Sequence, residues 1–197
     1  MSTTATVEYR TLGKAGLRVS VPILGAMSYG TPKWAPWVLE EEPSLEIMKA
    51  AWDLGINTID TANVYSNGES ERFIAKFLKK YNIPRHQIVI ATKCYSAVVN
   101  DPSIQSFTIP GIEDLPEYVN QSGLSRAAIF NAVDASLARL ETSYIDLFQI
   151  HRFDRVVTPE ETMKALHDLV QSGKVRYIGA SSMRCWQFAM LNDVAAK

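Results

Sequence analysis

The chain has little cysteine, little histidine and almost no excess charge. Its 197 residues include two cysteines, three histidines, 20 basic and 21 acidic residues, and the net charge is -1. A near-neutral chain has no basic field to hold a phosphate backbone, so we expect no nucleic-acid partner. Cys94 and Cys185 lack metal-ligand or C-x-x-C spacing. This favours free thiols in a cytoplasmic compartment and predicts no metal site.

Long apolar runs are missing as well. No stretch approaches the about 18 apolar residues that a membrane span requires, and residues 1–20 show no signal-peptide core. We therefore expect no contact with a membrane. The composition, 47% hydrophobic and 21% charged, is that of an ordinary globular protein. We expect a single domain over residues 1–197.

Short apolar runs alternate with helix-length amphipathic segments along most of the chain. This alternation predicts an α/β fold whose apolar runs are buried parallel strands. Extended segments on either side of Gly13 and Gly16 predict an N-terminal hairpin. The predicted parallel strands are residues 21–24, 58–59, 88–92, 145–150 and 175–180.

Apolar residues at helical spacing predict helices between these strands and a fifth helix over about residues 185–195. The fourth helix has the clearest boundaries. Thr158 and Glu161 have the spacing of a capping box, Pro159 takes the first helical position, and Gly173 follows the last turn.

A repeating strand–helix unit has two common architectures. It closes as an eight-fold (β/α) barrel of about 250 residues, or it stops as a doubly wound sheet, which length alone favours. However, residues 25–30 (GAMSYG) lack the G-x-G-x-x-G spacing of a dinucleotide-binding sheet. The polar residues at the strand ends favour the barrel.

Successive predicted strands end in Asp60, in Lys93, in His151 and in the pair Ser181 and Ser182. Since catalytic groups of a (β/α) barrel come from the carboxyl ends of its strands, we expect these side chains on one rim.

Tyr65 follows Asp60 in the next loop and completes the predicted site. A phenol has a pKa of about 10, and a nearby ammonium such as Lys93, held by Asp60, would lower that pKa. The set predicts that Tyr65 protonates a carbonyl oxygen that His151 orients, while another group delivers hydride.

Several of these residues also have a plainer structural interpretation. The two serines could cap the next helix. Tyr29, Trp34 and Trp37 either wall a substrate pocket or pack the first loop. Residues 96–123 exceed an ordinary connection and form either a substrate-covering loop or an insert.

Several segments resemble the aldo-keto reductase family, in the family's own order. They are residues 55–62 (GINTIDTA), Tyr65, 68–71 (GESE), 91–93 (ATK), 144–151 (YIDLFQIH) and 173–182 (GKVRYIGASS). Residues 27–30, Trp34, Trp37 and 179–182 are most similar to the fungal aryl-alcohol-dehydrogenase-like group.

The resemblance implies a metal-free, NADP(H)-dependent carbonyl reductase on a (β/α)8 TIM barrel. It implies that Tyr65 is the proton donor, that Lys93 and Asp60 tune it, and that His151 contacts the substrate carbonyl. The implied cofactor-binding residues are Asp60, Ser181, Ser182, Ala26 and Met27, and the implied substrate residues are His151, Tyr29 and Trp34.

The chain departs from the family pattern in two ways. Ser182 stands where the pattern commonly has Asn, and the resemblance covers only about the first five of eight strand–helix units. We therefore expect an incomplete barrel whose open edges favour self-association. The alternative function is a truncated, catalytically silent fragment or an interaction subunit.

Overall fold

Two antiparallel strands open the part of the chain that the structure describes, residues 7–197 of a computed structural model. They are β1 (Glu8–Thr11) and β2 (Arg18–Val21), and they confirm the predicted hairpin. The predicted strand over residues 21–24 is wrong at its start. Val21 pairs with Glu8 in the hairpin, and Pro22, which has no N–H to donate, separates it from the sheet that follows.

Five parallel strands form the second sheet, in the spatial order β3-β4-β5-β6-β7. Consecutive strands are neighbours throughout, so the order never reverses as it does in a doubly wound sheet. This favours the barrel over its alternative, and the sheet with its helices is a partial (β/α) barrel. The strands are β3 (Leu24–Gly25), β4 (Thr58–Asp60), β5 (Val89–Cys94), β6 (Ile145–Ile150) and β7 (Val175–Ala180).

Helices connect the strands, as the spacing of apolar residues predicts. At the start of the fourth helix the Thr158 hydroxyl accepts from the Glu161 N–H, but the Glu161 carboxylate turns away and accepts from the Arg126 N–H instead. Half of the predicted capping box is therefore present. The helices are α1 (Glu41–Asp53), α2 (Glu69–Lys80), α3 (Arg126–Arg139), α4 (Pro159–Gln171) and α5 (Cys185–Ala195).

One hydrophobic cluster joins the sheet to all five helices. On β6, Phe148 and Ile150 face this cluster, whereas Gln149 between them is half-buried on the opposite face, because side chains alternate along a strand. This alternation places Gln149 on the face of the sheet away from the helices. The helices contribute Leu45, Met48, Phe73, Phe77, Ile129, Val133, Leu166 and Leu191, among others.

A buried ion pair lies between α2, α3 and the sheet. The Glu71 side chain is 0% exposed, accepts from Arg139 Nε at 2.6 Å and accepts from the Thr92 hydroxyl at 2.6 Å. Thr92 immediately precedes Lys93, so this pair holds β5 from behind at the point where it approaches the predicted site. A charge so deeply buried is tolerated only with its partners in place.

The described residues contain no helix long and apolar enough to cross a membrane. Across the same span, no three His, Cys, Asp or Glu side chains are grouped as metal ligands would be. Both cysteines are free thiols, and burial raises the pKa of Cys94 to about 12.

Replacing Glu71 tests the buried pair. Glu71→Ala leaves the Arg139 guanidinium buried without its partner, and we expect the free energy of unfolding to fall by about 3–5 kcal/mol. The matched control is Glu69→Ala, which breaks a largely exposed pair with Arg72 and costs less than about 1 kcal/mol. Urea denaturation of both variants measures the difference, and equal losses would contradict the assignment.

Candidate active site

Backbone hydrogen bonds between neighbouring strands bring the predicted residues to one rim. His151 donates its N–H to the Cys94 carbonyl at 2.9 Å, and Ser181 donates its N–H to the Ile150 carbonyl at 2.9 Å. These bonds continue the parallel ladder one residue beyond each strand. The carboxyl ends of β4, β5, β6 and β7 therefore present their side chains side by side.

An ion pair lies at the centre of this rim. Lys93 Nζ donates to Asp60 Oδ2 at 2.5 Å and to the Thr61 carbonyl at 2.8 Å. The Lys93 side chain is 7% exposed, whereas that of Asp60 is 34% exposed and faces the open rim. Asp60 thus compensates a buried ammonium while keeping part of its carboxylate accessible.

Tyr65 and His151 stand beside this pair. Lys93 Nζ is 5.3 Å from the centroid of the Tyr65 ring, and the Tyr65 and His151 rings meet edge to face with centroids 5.8 Å apart. The structure therefore brings together all four residues that the sequence places in a catalytic set: Asp60, Tyr65, Lys93 and His151.

The pKa of Tyr65 differs from the expectation. Burial raises it first and the Asp60 carboxylate raises it further, while Arg152 opposes both. The expected lowering by Lys93 is wrong for this geometry, because the ammonium is already paired with Asp60 and its field is largely cancelled. The phenol is therefore held protonated at neutral pH.

His151 is also shifted. Burial, with the positive charges of Lys93 and Arg152 beside it, lowers the pKa of His151 to about 4, and Asp60 opposes this only in part. The imidazole is neutral at physiological pH. It can donate one hydrogen bond without adding a charge to the rim.

A cavity of about 300 Å³ opens in front of Tyr65 and His151. The Trp34 ring forms one wall of the cavity. It packs edge to face against the rings of Trp37 and Phe107, with ring centroids 5.9 Å and 6.1 Å apart. Phe107 comes from the 96–123 loop, so the contact favours the substrate-covering interpretation of that loop. Met27, Tyr95 and Arg152 also line the cavity.

Two predicted residues lie elsewhere. Tyr29 is 2% exposed and packs in the main hydrophobic cluster, because a turn bonded from its N–H to the Ala26 carbonyl directs the ring inward. It does not line the cavity, and its assignment as a substrate residue is corrected. Ala26 is fully buried in the same cluster, and its carbonyl accepts from the Ser70 hydroxyl at 2.7 Å.

The serine pair is open to solvent at the edge of the rim. The Ser181 and Ser182 hydroxyls are 3.2 Å apart and do not cap α5, whose N-cap is Arg184. Ser182 adopts a positive φ of 46°, a conformation that Asn tolerates better than Ser. This gives a backbone reason for the Asn that the family pattern commonly has here.

Sequence reasoning missed Gln149. Its Nε2 donates to Asp60 Oδ1 at 3.0 Å, so it holds the carboxylate oxygen that Lys93 leaves free. Gly179 makes room for it, since a Cβ there would lie 3.1 Å from Gln149 Cγ. The signal was available, because Gln149 is the polar residue two positions before His151 and so shares its face of the strand.

The fold and this rim define a partial (β/α) barrel with a polar site at the carboxyl ends of its strands. Residues 23–196 match the Aldo/keto reductase family, and the chain belongs to that family of oxidoreductases.

Fungal reductases are among its similar proteins. The chain is 60% identical over 198 residues to aldo-keto reductase dtxS3 of Metarhizium robertsii, covering 96% of this chain and 52% of that protein. It is 52% identical to versiconal hemiacetal acetate reductase of Aspergillus parasiticus, and the match covers 97% of this chain and 55% of that protein. An aryl-alcohol-dehydrogenase-like protein of Schizosaccharomyces pombe is also 52% identical, and the match covers 100% of this chain and 58% of that protein. The chain thus spans about half the length of these relatives.

A solved structure supports the fold. The holo form of an aldo-keto reductase from Bacillus halodurans superposes with a TM-score of 0.70 at 34% identity. The match covers 90% of this chain and 50% of that one.

The shifted His151 gives a pH prediction. Its pKa is about 4 in the folded chain against 6.5 ordinarily, so between these values the unfolded state binds more protons. We expect the free energy of unfolding to decrease as pH falls from 6.5 to 4, and His151→Gln to remove that part of the dependence. Denaturation at several pH values measures it. His167→Gln, an exposed histidine on α4, is the control, and an unchanged pH profile in His151→Gln would contradict the prediction.

Proposed function

We propose that the chain, as a single domain over residues 1–197, carries the site of an NADP(H)-dependent reductase that converts an aldehyde or ketone to an alcohol. The observation that carries this proposal is that the Tyr65 ring lies beside both the buried Lys93–Asp60 ion pair and the His151 ring, at one cavity. Each of the four groups has a role in reducing a carbonyl.

Tyr65 is the proposed proton donor. A carbonyl oxygen gains negative charge as hydride arrives, and a phenol held protonated by burial has a proton to give. Once that proton leaves, the phenolate lies beside the Lys93 ammonium, whose nitrogen is 5.3 Å from the ring centroid. Because Lys93 is already paired with Asp60, the driving force for the proton transfer comes from the substrate oxygen, which becomes strongly basic as hydride arrives.

His151 is the proposed orienting group. A neutral imidazole donates a hydrogen bond to the carbonyl oxygen without competing for the proton that Tyr65 supplies. Tyr65 and His151 both line the cavity, and the edge-to-face contact of their rings supports a single carbonyl oxygen as their common partner.

The rim also fits a nicotinamide cofactor, which supplies the hydride when bound. Ser181 has a solvent-accessible hydroxyl that can both donate to and accept from a carboxamide, with Ser182 at 3.2 Å as its neighbour. The open edge of the Asp60 carboxylate can accept from ribose hydroxyls. Met27, 46% exposed, adds an apolar surface beside Tyr65, whereas the buried Ala26 offers only backbone support.

The substrate is proposed to be an aromatic or polyketide-like carbonyl compound. The cavity walls are the rings of Trp34, Tyr95 and Phe107, and its volume of about 300 Å³ suits a small aromatic molecule. The name of the Schizosaccharomyces pombe relative, which refers to an aryl-alcohol dehydrogenase, supports the aromatic class.

Tyr65→Phe tests the proton donor. The substitution removes one hydroxyl and keeps the ring, so we expect kcat for an aromatic aldehyde to fall by about 10²–10⁴-fold. The dissociation constant for NADPH should stay within about twofold, because the hydroxyl acts on the carbonyl oxygen alone. Steady-state kinetics and fluorescence titration measure the two quantities.

The matched control is Tyr95→Phe, which removes a phenol from the same cavity. We expect its kcat to change by less than about threefold, since it is the Tyr65 ring that lies beside Lys93 and His151. If Tyr65→Phe kept a tenth or more of the wild-type kcat, another group would have to donate the proton.

We also propose that copies of the chain associate through the open edge of the sheet. Among the described residues β7 pairs with β6 alone, and Trp186, Phe188 and Met190 are exposed on the adjoining α5. Sedimentation velocity should show a dimer or larger species that dissociates in Trp186→Lys. A monomer at tens of micromolar would contradict this.

A further inference from the structure

The turn that begins at Tyr65 has an unusual backbone. Ser66, Asn67 and Gly68 follow the tyrosine with φ angles of 45°, 50° and 93°, so three consecutive residues are left-handed. Side chains disfavour this region, and non-glycine residues stay there only when surrounding contacts hold them. The position of Tyr65 therefore depends on what holds the three residues after it.

Ser66 and Gly68 are held by close packing. A Cβ on Gly30 would lie 2.1 Å from the Ser66 hydroxyl oxygen, which also accepts from the Thr31 N–H at 3.2 Å. A Cβ on Gly68 would lie 2.4 Å from Arg139 Cδ. These contacts tie the turn to the first loop and to α3.

Asn67 is held by hydrogen bonds to the long 96–123 loop. Its Nδ2 donates to the Asp101 carbonyl at 2.9 Å and to the Ile104 carbonyl at 2.6 Å, and its Oδ1 accepts from the Val99 N–H at 3.2 Å. The side chain is buried, and all its hydrogen-bonding groups face this loop. The Asn67 side-chain amide therefore forms hydrogen bonds to both ends of the segment 99–104.

The same loop reaches the cavity immediately afterwards. Gln105 donates from Nε2 to the Trp34 carbonyl at 2.7 Å, and Phe107 contacts the Trp34 ring edge to face. Phe107 and Tyr65 both line the cavity. The loop that lines the cavity and the turn that carries Tyr65 therefore meet at Asn67.

We propose that Asn67 is a positioning residue that couples the 96–123 loop to Tyr65, so that one amide sets both the cover of the cavity and the direction of the phenol. The inference rests on the proposed function and adds a specific residue to it. Asn suits this position because it tolerates a left-handed backbone while its amide both donates and accepts.

The decisive variant is Asn67→Gly. Glycine keeps the left-handed backbone without strain and deletes the side chain with its three hydrogen bonds, while the backbone freedom it adds is matched in the control variant. Asn67→Asp is the second variant, since it keeps an acceptor for the Val99 N–H but loses both donors. The matched control is Asn82→Gly, an exposed asparagine with φ 52° in the turn after α2.

Steady-state kinetics with an aromatic aldehyde and NADPH are the first measurement. We expect kcat/KM of Asn67→Gly to fall about 10–100-fold, with KM raised by the loosened cover and kcat lowered by the misdirected phenol. Asn67→Asp should lose at least as much as Asn67→Gly, because its carboxylate would face the Asp101 and Ile104 carbonyl oxygens. NADPH affinity, and all constants of Asn82→Gly, should stay within about twofold. Wild-type kinetics in Asn67→Gly would overturn the proposal.

A second measurement needs no turnover. In protein labelled with 3-fluorotyrosine, the ¹⁹F line of Tyr65 is assigned by its loss in Tyr65→Phe. We expect this line to shift or broaden in Asn67→Gly and to stay in place in Asn82→Gly, while an unmoved line would overturn the coupling. If the wild-type chain reduced no carbonyl compound, the proposed function would fail, and the ¹⁹F line would still decide the role of Asn67.

Discussion

The ion pair between Lys93 and Asp60 is the interaction on which the rest of the site depends. A buried ammonium without a counter-charge would be too costly to keep, and Asp60 at 2.5 Å makes it tolerable. The same pairing cancels much of the field that Lys93 exerts on Tyr65. Burial and the Asp60 carboxylate raise the pKa of Tyr65, so the phenol keeps its proton until a substrate oxygen gains negative charge.

Three layers of structure support this pair. Gln149 bonds the second Asp60 oxygen from the neighbouring strand, and the Glu71–Arg139 pair holds β5 through Thr92, directly before Lys93. In front, the left-handed turn after Tyr65 ties the donor to the loop over the cavity. The geometry of the four side chains at the rim thus depends on the fold around them.

Much of this arrangement could be predicted from the sequence. Apolar runs that end in Asp60, Lys93 and His151 predict both the parallel strands and the shared rim, because strand ends in a (β/α) barrel meet at one face. What failed depends on three-dimensional context. The pKa of Tyr65 follows from burial and charge cancellation, and the inward turn of Tyr29 follows from one local hydrogen bond. Neither leaves a pattern in residue spacing, and the role of Asn67 is visible only once the loop is in place.

The most direct test of the account is hydride transfer by the chain itself. The purified chain would be incubated with an aromatic aldehyde and NADPH carrying deuterium at the transferable position, and the alcohol would be analysed by mass spectrometry. We expect an alcohol with one deuterium at the carbinol carbon and one exchangeable proton on the oxygen. If NADPH bound and no labelled alcohol formed with any aldehyde or ketone, the proposed reductase activity would be contradicted.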